Sequence, residues 1–468
     1  MASPNTDQPA AKCPVVMSSG EPCGRKPYDD KGLCICHSES SDKDLDAFDW
    51  EIEALLARKD YDFTRFVFPA DEDFSGTAFD APTCFRWATF HDHVDFRAAT
   101  FQHAADFFRA TFQRDATFFL ATFQGEALFA LTTFQGKALF AMATFENNAG
   151  FAETTFQGEA DFAEATFDNV AAFAETTFEG NADFVEAVFH NVAEFRKATF
   201  KGNVGFAEPT FHGEADFVGA VFQGHARFVG ISDECVFSRE ADADFRLARF
   251  EQPERVVFHH VLLGRARFLG TDVRKVDFTD VEWARRSPRG RFAAWDEVAP
   301  GEGKDYALIG KLYRQLKHNY EEQRDPIAAG DFHFGEMHMR RLSNPPRNRA
   351  VRFLKRNLSF LALYRWVSGY GEDYLLPLVW IVGVILVFAG LTYLPPFALQ
   401  TDPSSAATQP VQGFLPRLLY SVMCFLLRGD KPIQPAYLAG HYLAVAEGIM
   451  GPPLIALFVL ALNRRFKR

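Results

Sequence analysis

Four of the seven cysteines in this 468-residue chain fall within its first 40 positions: Cys13, Cys23, Cys34 and Cys36, with His37 directly after the last. Cys13, Cys23, Cys34 and His37 together offer three thiolates and one imidazole, a closed tetrahedral donor set that zinc accepts. Four protein ligands leave no position open for a substrate, so the expected ion is structural. Gly20, Gly24 and Gly32 supply the tight turns such a knuckle needs. Cys36 is an alternative ligand to Cys34. Free thiols or a disulfide pair are the competing readings.

Two more ionisable groups, His441 and Glu447, lie inside the apolar run Ala436–Leu462. Such groups are costly in an apolar span and face a cavity or a partner. One reading is the lining of a pore, or a proton- or ligand-sensitive gate. In the other, His441 sits at an interface and Glu447 pairs with a neighbouring helix. His333, Glu336 and His338 read as ordinary polar positions on a helix. The sequence has no Gly-x-Ser-x-Gly elbow, no phosphate-cradling glycine loop and no His-Glu-x-x-His helix, so no enzyme is expected.

The element that organises the chain is a phenylalanine recurring at alternating steps of five and six residues. From Phe74 to Phe228 it runs through 154 residues, 14 units of 11, without a gap. On a helix those steps rotate about 140° and 240°, so the rings would diverge. One long strand fails too, because its inward residues need even steps. A solenoid whose wall turns a corner between successive rings satisfies the period. The residue two before the ring is small in most units (Ala160, Ala165, Ala171, Thr176, Ala182), as a narrow interior requires. Turn formers such as Gln157-Gly158 and Asp168-Asn169 fill the gaps.

The unit Phe156-Gln-Gly-Glu-Ala-Asp-Phe162-Ala-Glu-Ala-Thr resembles the pentapeptide-repeat family in its Phe-rich variant, over roughly residues 64–280. The resemblance implies a right-handed four-sided β-helix, with the rings as core and not as binding sites. Four faces per coil make seven coils of the regular part, a rod of roughly 34 Å at about 4.8 Å per coil. Register is lost after Phe228, which places an insertion or an irregular coil around Gly230–Cys235.

The expected domain order is a zinc-knuckle-like segment (1–40), a linker and capping helix (41–63), and the β-helix (64–283). A helical hairpin (284–345), a basic juxtamembrane segment (346–372) and a membrane domain (373–468) follow. The capping helix is read over Asp49–Asp62, from Ile52, Leu55 and Leu56, with a polar linker over 38–48. Tyr306, Ile309, Leu312, Tyr313, Leu316 and Tyr320 form one helical stripe, and Asp325-Pro326 starts a second helix to about Leu342. The pair resembles a single tetratricopeptide-like hairpin, read as a packing or coupling module.

The net charge of −12 conceals an asymmetry. Residues 71–280 hold 33 acidic against 17 basic residues, and residues 340–468 hold 5 against 15. An acidic body with a basic, apolar tail suggests a soluble domain tethered at a membrane. The first twelve residues lack a secretory signal, so the N-terminus is expected to stay in the cytoplasm. Leu375–Leu394 is uncharged over twenty residues and long enough to span. Ala436–Leu462 forms a second span, and the shorter Phe414–Leu427 reads as re-entrant. Positive charge in Arg340–Arg365 and Arg464–Arg468 places both ends in the cytoplasm, in a two-span protein of the plasma membrane.

The order of span, short helix, Gly429-Asp430 and span resembles the pore module of two-transmembrane, potassium-channel-like proteins. The resemblance rests on Leu419–Asp430, Ile433-Gln-Pro435 and Val445–Gly451. It places Phe425, Leu426, Leu427, Arg428, Gly429 and Asp430 at the filter-like positions, and His441, Glu447 and Gly451 as pore-lining candidates in a homo-tetramer. Leu427 stands where the filter's first glycine would be, which disfavours the unusual backbone there. Arg428 would ring the axis with four guanidinium groups, repelling cations. Pro452-Pro453 would kink the second span. Potassium selectivity is therefore not expected. The partners implied are membrane lipid, further copies of this chain and an unidentified cytoplasmic protein, without nucleic acid. The alternatives are a non-conducting, membrane-anchored scaffold and an acidic DNA mimic, the latter disfavoured by membrane tethering.

Overall fold

A computed structural model describes residues 12–208, 210–231, 235–287, 290–301, 303–343, 348–401, 409–429 and 432–466. They form two compact units, Met1–Lys304 and Asp305–Arg468. The division falls inside the stretch assigned from sequence to the hairpin module.

In the first unit, helix α1 (Leu45–Ala57) begins four residues before the expected start. Asp44 caps it, its carboxylate accepting from the Ala47 amide at 3.2 Å. The helix ends early because Lys59 turns left-handed, at φ +59. Phe48, Ile52 and Leu55 are its buried face, and Phe48 meets Phe68 edge-on at 5.7 Å.

Beyond α1 the chain builds a β-solenoid of about ten coils. Short strands pair in parallel with the strand 22 residues on, as in Thr133↔Thr155 and Thr155↔Thr177. The ladders make four parallel sheets of nine, ten, seven and nine strands. Each ring stacks on its counterpart one coil away: Phe162 lies 5.0 Å from Phe140 and 5.1 Å from Phe184, nearly coplanar with both. Ala160, Ala165, Ala171, Thr176 and Ala182 are buried as expected. Thr132, Thr154 and Thr176 solve the burial of a hydroxyl by donating to the Phe107, Phe129 and Phe151 carbonyls at 2.6–2.7 Å.

The two kinds of corner explain the alternating step. Between Phe162 and Phe167 the chain makes a tight turn, with the Ala165 amide on the Phe162 carbonyl and Glu164 at φ +57. Positive φ at the third residue is a type II signature that favours glycine, yet these corners carry Leu131, Met142, Glu153 and Glu175. Their amides are paid for by the next coil: Glu164 N donates to Val185 O at 2.8 Å. The other corner, one residue longer, is crowded. A Cβ on Gly180 would stand 2.3 Å from the Gly158 carbonyl oxygen, and Gly202 and Gly224 repeat the approach.

The period lengthens after Phe228. Phe211 bridges to Phe237, and Val221 pairs with Arg249, 28 residues on rather than 22. Of the stretch expected to be irregular, residues 232–234 lie outside the described residues. The ladder then resumes to Asp277–Thr279. A short helix α2 (Trp295–Val298) follows it, and its Asp296 accepts from the Phe268 and Leu269 amides at 3.0 and 3.2 Å. Burial pushes the Asp296 carboxyl up, although those two amides pull it down. Two backbone donors near the end of the solenoid are thereby satisfied.

The second unit is helical. Helices α3 (Tyr306–Glu322) and α4 (Pro326–Leu342) pack along the expected stripe, burying Ile309, Leu312, Tyr313, Leu316 and Tyr320. Asp325 caps α4 through the Ile327 and Ala328 amides. Gly335 lets the helices close, since a Cβ there would meet the Tyr313 ring at 2.6 Å. Helices α5 (Arg349–Leu358) and α6 (Phe360–Ser368) lead through Gly369-Tyr370-Gly371 into α7 (Leu375–Leu391). Then come α8 (Phe414–Phe425) and α9 (Leu438–Phe466). Among the described residues α9 alone is a single helix long and apolar enough to cross a membrane. Helix α7 has 17 residues and stops short of the expected Leu394, where the chain turns at Thr392. Residues 399–401 and 433–435 pair as antiparallel strands, which the sequence reading did not anticipate.

Candidate metal centre and a cavity in the helical unit

The N-terminal segment folds as a knuckle. The Cys13 amide donates to Arg25 O and the Cys23 amide to Val15 O, closing a hairpin bridged at Val16↔Pro22. The His37 and Ser38 amides both bond the Cys34 carbonyl, in a tight turn that presents Cys34 and His37 together. The Cys36 carbonyl accepts from the Val67 amide, and His37 stands edge-on to Phe66 at 5.0 Å. The knuckle thus covers the first coil.

The donor atoms of Cys13, Cys23, Cys34 and His37 all lie within 4.8 Å of one another. A tetrahedral ion with bonds of about 2.3 Å to sulfur and about 2.0 Å to nitrogen demands sulfurs about 3.8 Å apart and sulfur–nitrogen separations of about 3.5 Å. Cys23 Sγ and Cys34 Sγ are 3.7 Å apart, and His37 Nδ1 is 3.4 Å from Cys13 Sγ and 3.1 Å from Cys34 Sγ. His37 Nε2 lies 3.0 Å from the Thr64 carbonyl, which takes its proton and leaves Nδ1 as the ligating nitrogen. Arg25 Nη1 donates to Cys23 Sγ at 3.1 Å. The Cys34 thiol is pushed up to about 12: contact with Cys23 pulls it down, but contact with Cys36 and burial outweigh that. All seven cysteines are free, and Cys36 is buried outside the four-ligand set. The arrangement can hold a tetrahedral ion with no position for substrate.

In the second unit the short α8 lies between α7 and α9. Phe425 is buried with Val384 of α7 and Leu454 of α9. Gly451 allows the closest approach, since a Cβ there would stand 2.1 Å from the Phe425 carbonyl oxygen. Ser421 Oγ lies 3.0 Å from the Ile385 carbonyl of α7 and hydrogen-bonds the buried Glu447 carboxyl of α9. Arg417, which the sequence reading passed over, ties α8 to the end of α7. It donates to the Thr392 and Val411 carbonyls and lies 4.1 Å over the Tyr393 ring. Its charge within an apolar run was the signal available.

Beside these contacts opens a cavity of about 690 Å³ whose lining includes Leu427, Arg428, Gly429, Gln434, His441 and Val445. Three filter-like positions and one second-span candidate therefore share one space. Glu447 and Gly451 turn instead toward α8, and Phe425 is core. Leu426 is exposed. Asp430 lies outside the described residues. Leu427 does adopt the unusual backbone, at φ +53, despite having a Cβ. Its side chain lies against α9, where a Cβ on Gly448 would stand 2.8 Å from Leu427 Cδ2. In the hairpin, Glu336 pairs with Arg314 at 2.8 Å, and His333 lies 3.9 Å from Glu372. His333 and His338 join no metal-ligand cluster among the described residues.

Residues 118–166, 129–176, 151–199 and 195–232 match the family model described as Pentapeptide repeats (9 copies). The same ladder continues on both sides of the matched stretch, from Val67 to Thr279. No curated protein and no solved structure matches the chain.

Proposed function

We propose that this chain is a plasma-membrane protein in which a cytoplasmic pentapeptide-repeat β-helix, right-handed and four-sided, serves a pore-like module. In this reading α7 and α9 both span, α8 is re-entrant, both termini are cytoplasmic and four copies surround one axis. The observation that carries it is the cavity shared by Leu427, Arg428 and Gly429 of the loop and His441 of α9. A short helix held between two apolar helices, with its C-terminal loop opening on such a cavity, is the arrangement a pore loop needs, because irregular backbone at membrane depth is tolerated only beside a cavity or protein. Arg428 then confers anion preference, and potassium selectivity is absent. The Cys13, Cys23, Cys34 and His37 set holds a structural zinc ion. The β-helix recruits a cytoplasmic protein partner through its surface, its aromatic core being inaccessible.

The protein mass of the full-length chain in mild detergent, corrected for the micelle, tests the assembly. A four-fold multiple of 52.7 kDa supports it, and a monomer or dimer refutes the four-fold pore. In liposomes, chloride flux lost on Arg428→Ala supports the role of that residue, and unaltered flux removes it. A second reading, a non-conducting scaffold, is favoured by one observation. Leu427 packs toward Gly448 where an open filter would have a glycine.

A further inference from the structure

Among the described residues one other cluster of ligating side chains exists, formed by His259, His260 and Asp280. We propose that these three residues form a second metal site, on the flank of the solenoid, for a divalent transition ion such as zinc, cobalt or nickel. Nothing in the membrane reading bears on it.

The geometry comes from the coil corner. Along the strand Val256–His259, Val256 and Phe258 point inward and Val257 and His259 outward. Were the strand to continue, the next side chain would face the core. His260 instead takes φ +51 and turns the corner, which brings its imidazole round to the surface that His259 occupies. The two rings lie 4.3 Å apart at 84°. One coil on, Thr279 is the ladder partner of His259, so Asp280 occupies the place stacked on His260. Asp280 shares the left-handed backbone at φ +51, and its Oδ2 lies 3.9 Å from His260 Nε2. Each of the three residues offers a donor atom within 4.8 Å of the others.

The ladder holds both coils, with the His260 amide on the Thr279 carbonyl at 3.3 Å, so the backbone under the ligands is fixed before any ion arrives. Two imidazoles and a carboxylate suit zinc, cobalt, nickel or copper rather than magnesium or calcium, which prefer all-oxygen sets. Three ligands leave at least one coordination position for water or for a group from a bound partner, unlike the closed N-terminal set. The His260 and Asp280 side chains are 40% and 62% exposed, so an ion reaches the site directly from solvent.

Cobalt(II) is the probe, because thiolate ligands give an intense near-ultraviolet charge-transfer band that imidazole and carboxylate ligands do not. The full-length protein in mild detergent is stripped with chelator, titrated with cobalt and read by absorption and metal content. The readout is the number of bound ions per chain without thiolate character. One such ion in the wild type, absent in His260→Ala and bound at least tenfold more weakly in Asp280→Asn, supports the site. None in the wild type, or one that persists unchanged in both variants, overturns it. The thiolate band reports separately whether each variant's N-terminal region is intact.

Discussion

Replacing Phe162 by alanine removes a ring from the middle of the solenoid, and the structure sets both the size and the reach of the effect. Phe162 is fully buried and stacks on Phe140 and Phe184 at 5.0 and 5.1 Å. It also meets Phe151 and Phe173 edge-on at 5.4 Å. Truncating a buried phenylalanine costs about 3–5 kcal/mol. Aromatic pairs add about 0.5–1.5 kcal/mol each beyond area. With four such neighbours and ladders that prevent collapse, the upper part of the range applies, about 5 kcal/mol. In a solenoid each coil touches only its neighbours, so the loss is local. Hydrogen exchange of the full-length chain is the assay. Amides of residues 138–186 should lose roughly 10³-fold in protection or more, at about 1.4 kcal/mol per decade, while those near Phe90 change little. Loss below tenfold, or an equal loss along the whole ladder, would refute nearest-neighbour stacking as the source of stability. Thr176→Ala calibrates the scale: it removes one buried hydrogen bond, worth about 1 kcal/mol or about fivefold in exchange.

Gly180→Ala should destabilise by about 1–3 kcal/mol or more through overpacking against the Gly158 carbonyl, whereas Gly264→Ala, where a Cβ meets nothing within 4 Å, should be neutral or better in the same thermal scan. Burial, reinforced by Lys317 and Arg464, holds the His333 imidazole down to about 4. The unfolded chain takes that proton near the ordinary histidine value of 6.5 and the folded one does not, so this contribution is intact above pH 6.5 and is lost as pH falls toward 4. The difference in unfolding free energy between wild type and His333→Gln should therefore shrink by about 3 kcal/mol between pH 7 and pH 4; a difference constant with pH contradicts it. Chelation of metal, or His37→Ala, should raise exchange in residues 12–38 and in the first coil while leaving Phe118–Phe228 protected. Equal protection with and without chelator would count against a structural ion there.

Because a coil is 22 residues long, the contacts of the solenoid are written into the spacing of the chain. A ring at Phe140 finds its neighbour at Phe162 wherever the coil lies in space, so the repeat, its buried small residues and the break after Phe228 were all legible beforehand. Helix α3 and the Asp325 cap were legible for the same reason, since their determinants lie within a few residues. The start of α1 was missed because a single side chain, Asp44, decides it.

Other features depend on where distant turns bring side chains. Composition singled out Cys13, Cys23, Cys34 and His37, but only folding chose Cys34 over Cys36, by a turn that points Cys34 and His37 the same way. His441 and Glu447 look alike in an apolar run, yet α8 packs against one side of α9, so Glu447 meets Ser421 while His441 faces the cavity. His259, His260 and Asp280 carry no motif at all. They converge because a left-handed corner reverses the alternation of one strand and the ladder stacks the next coil upon it. Sequence alone determines what repeats, because local sterics and burial act at fixed separations. The tertiary structure decides which unique side chains meet, because that depends on the sum of every turn between them.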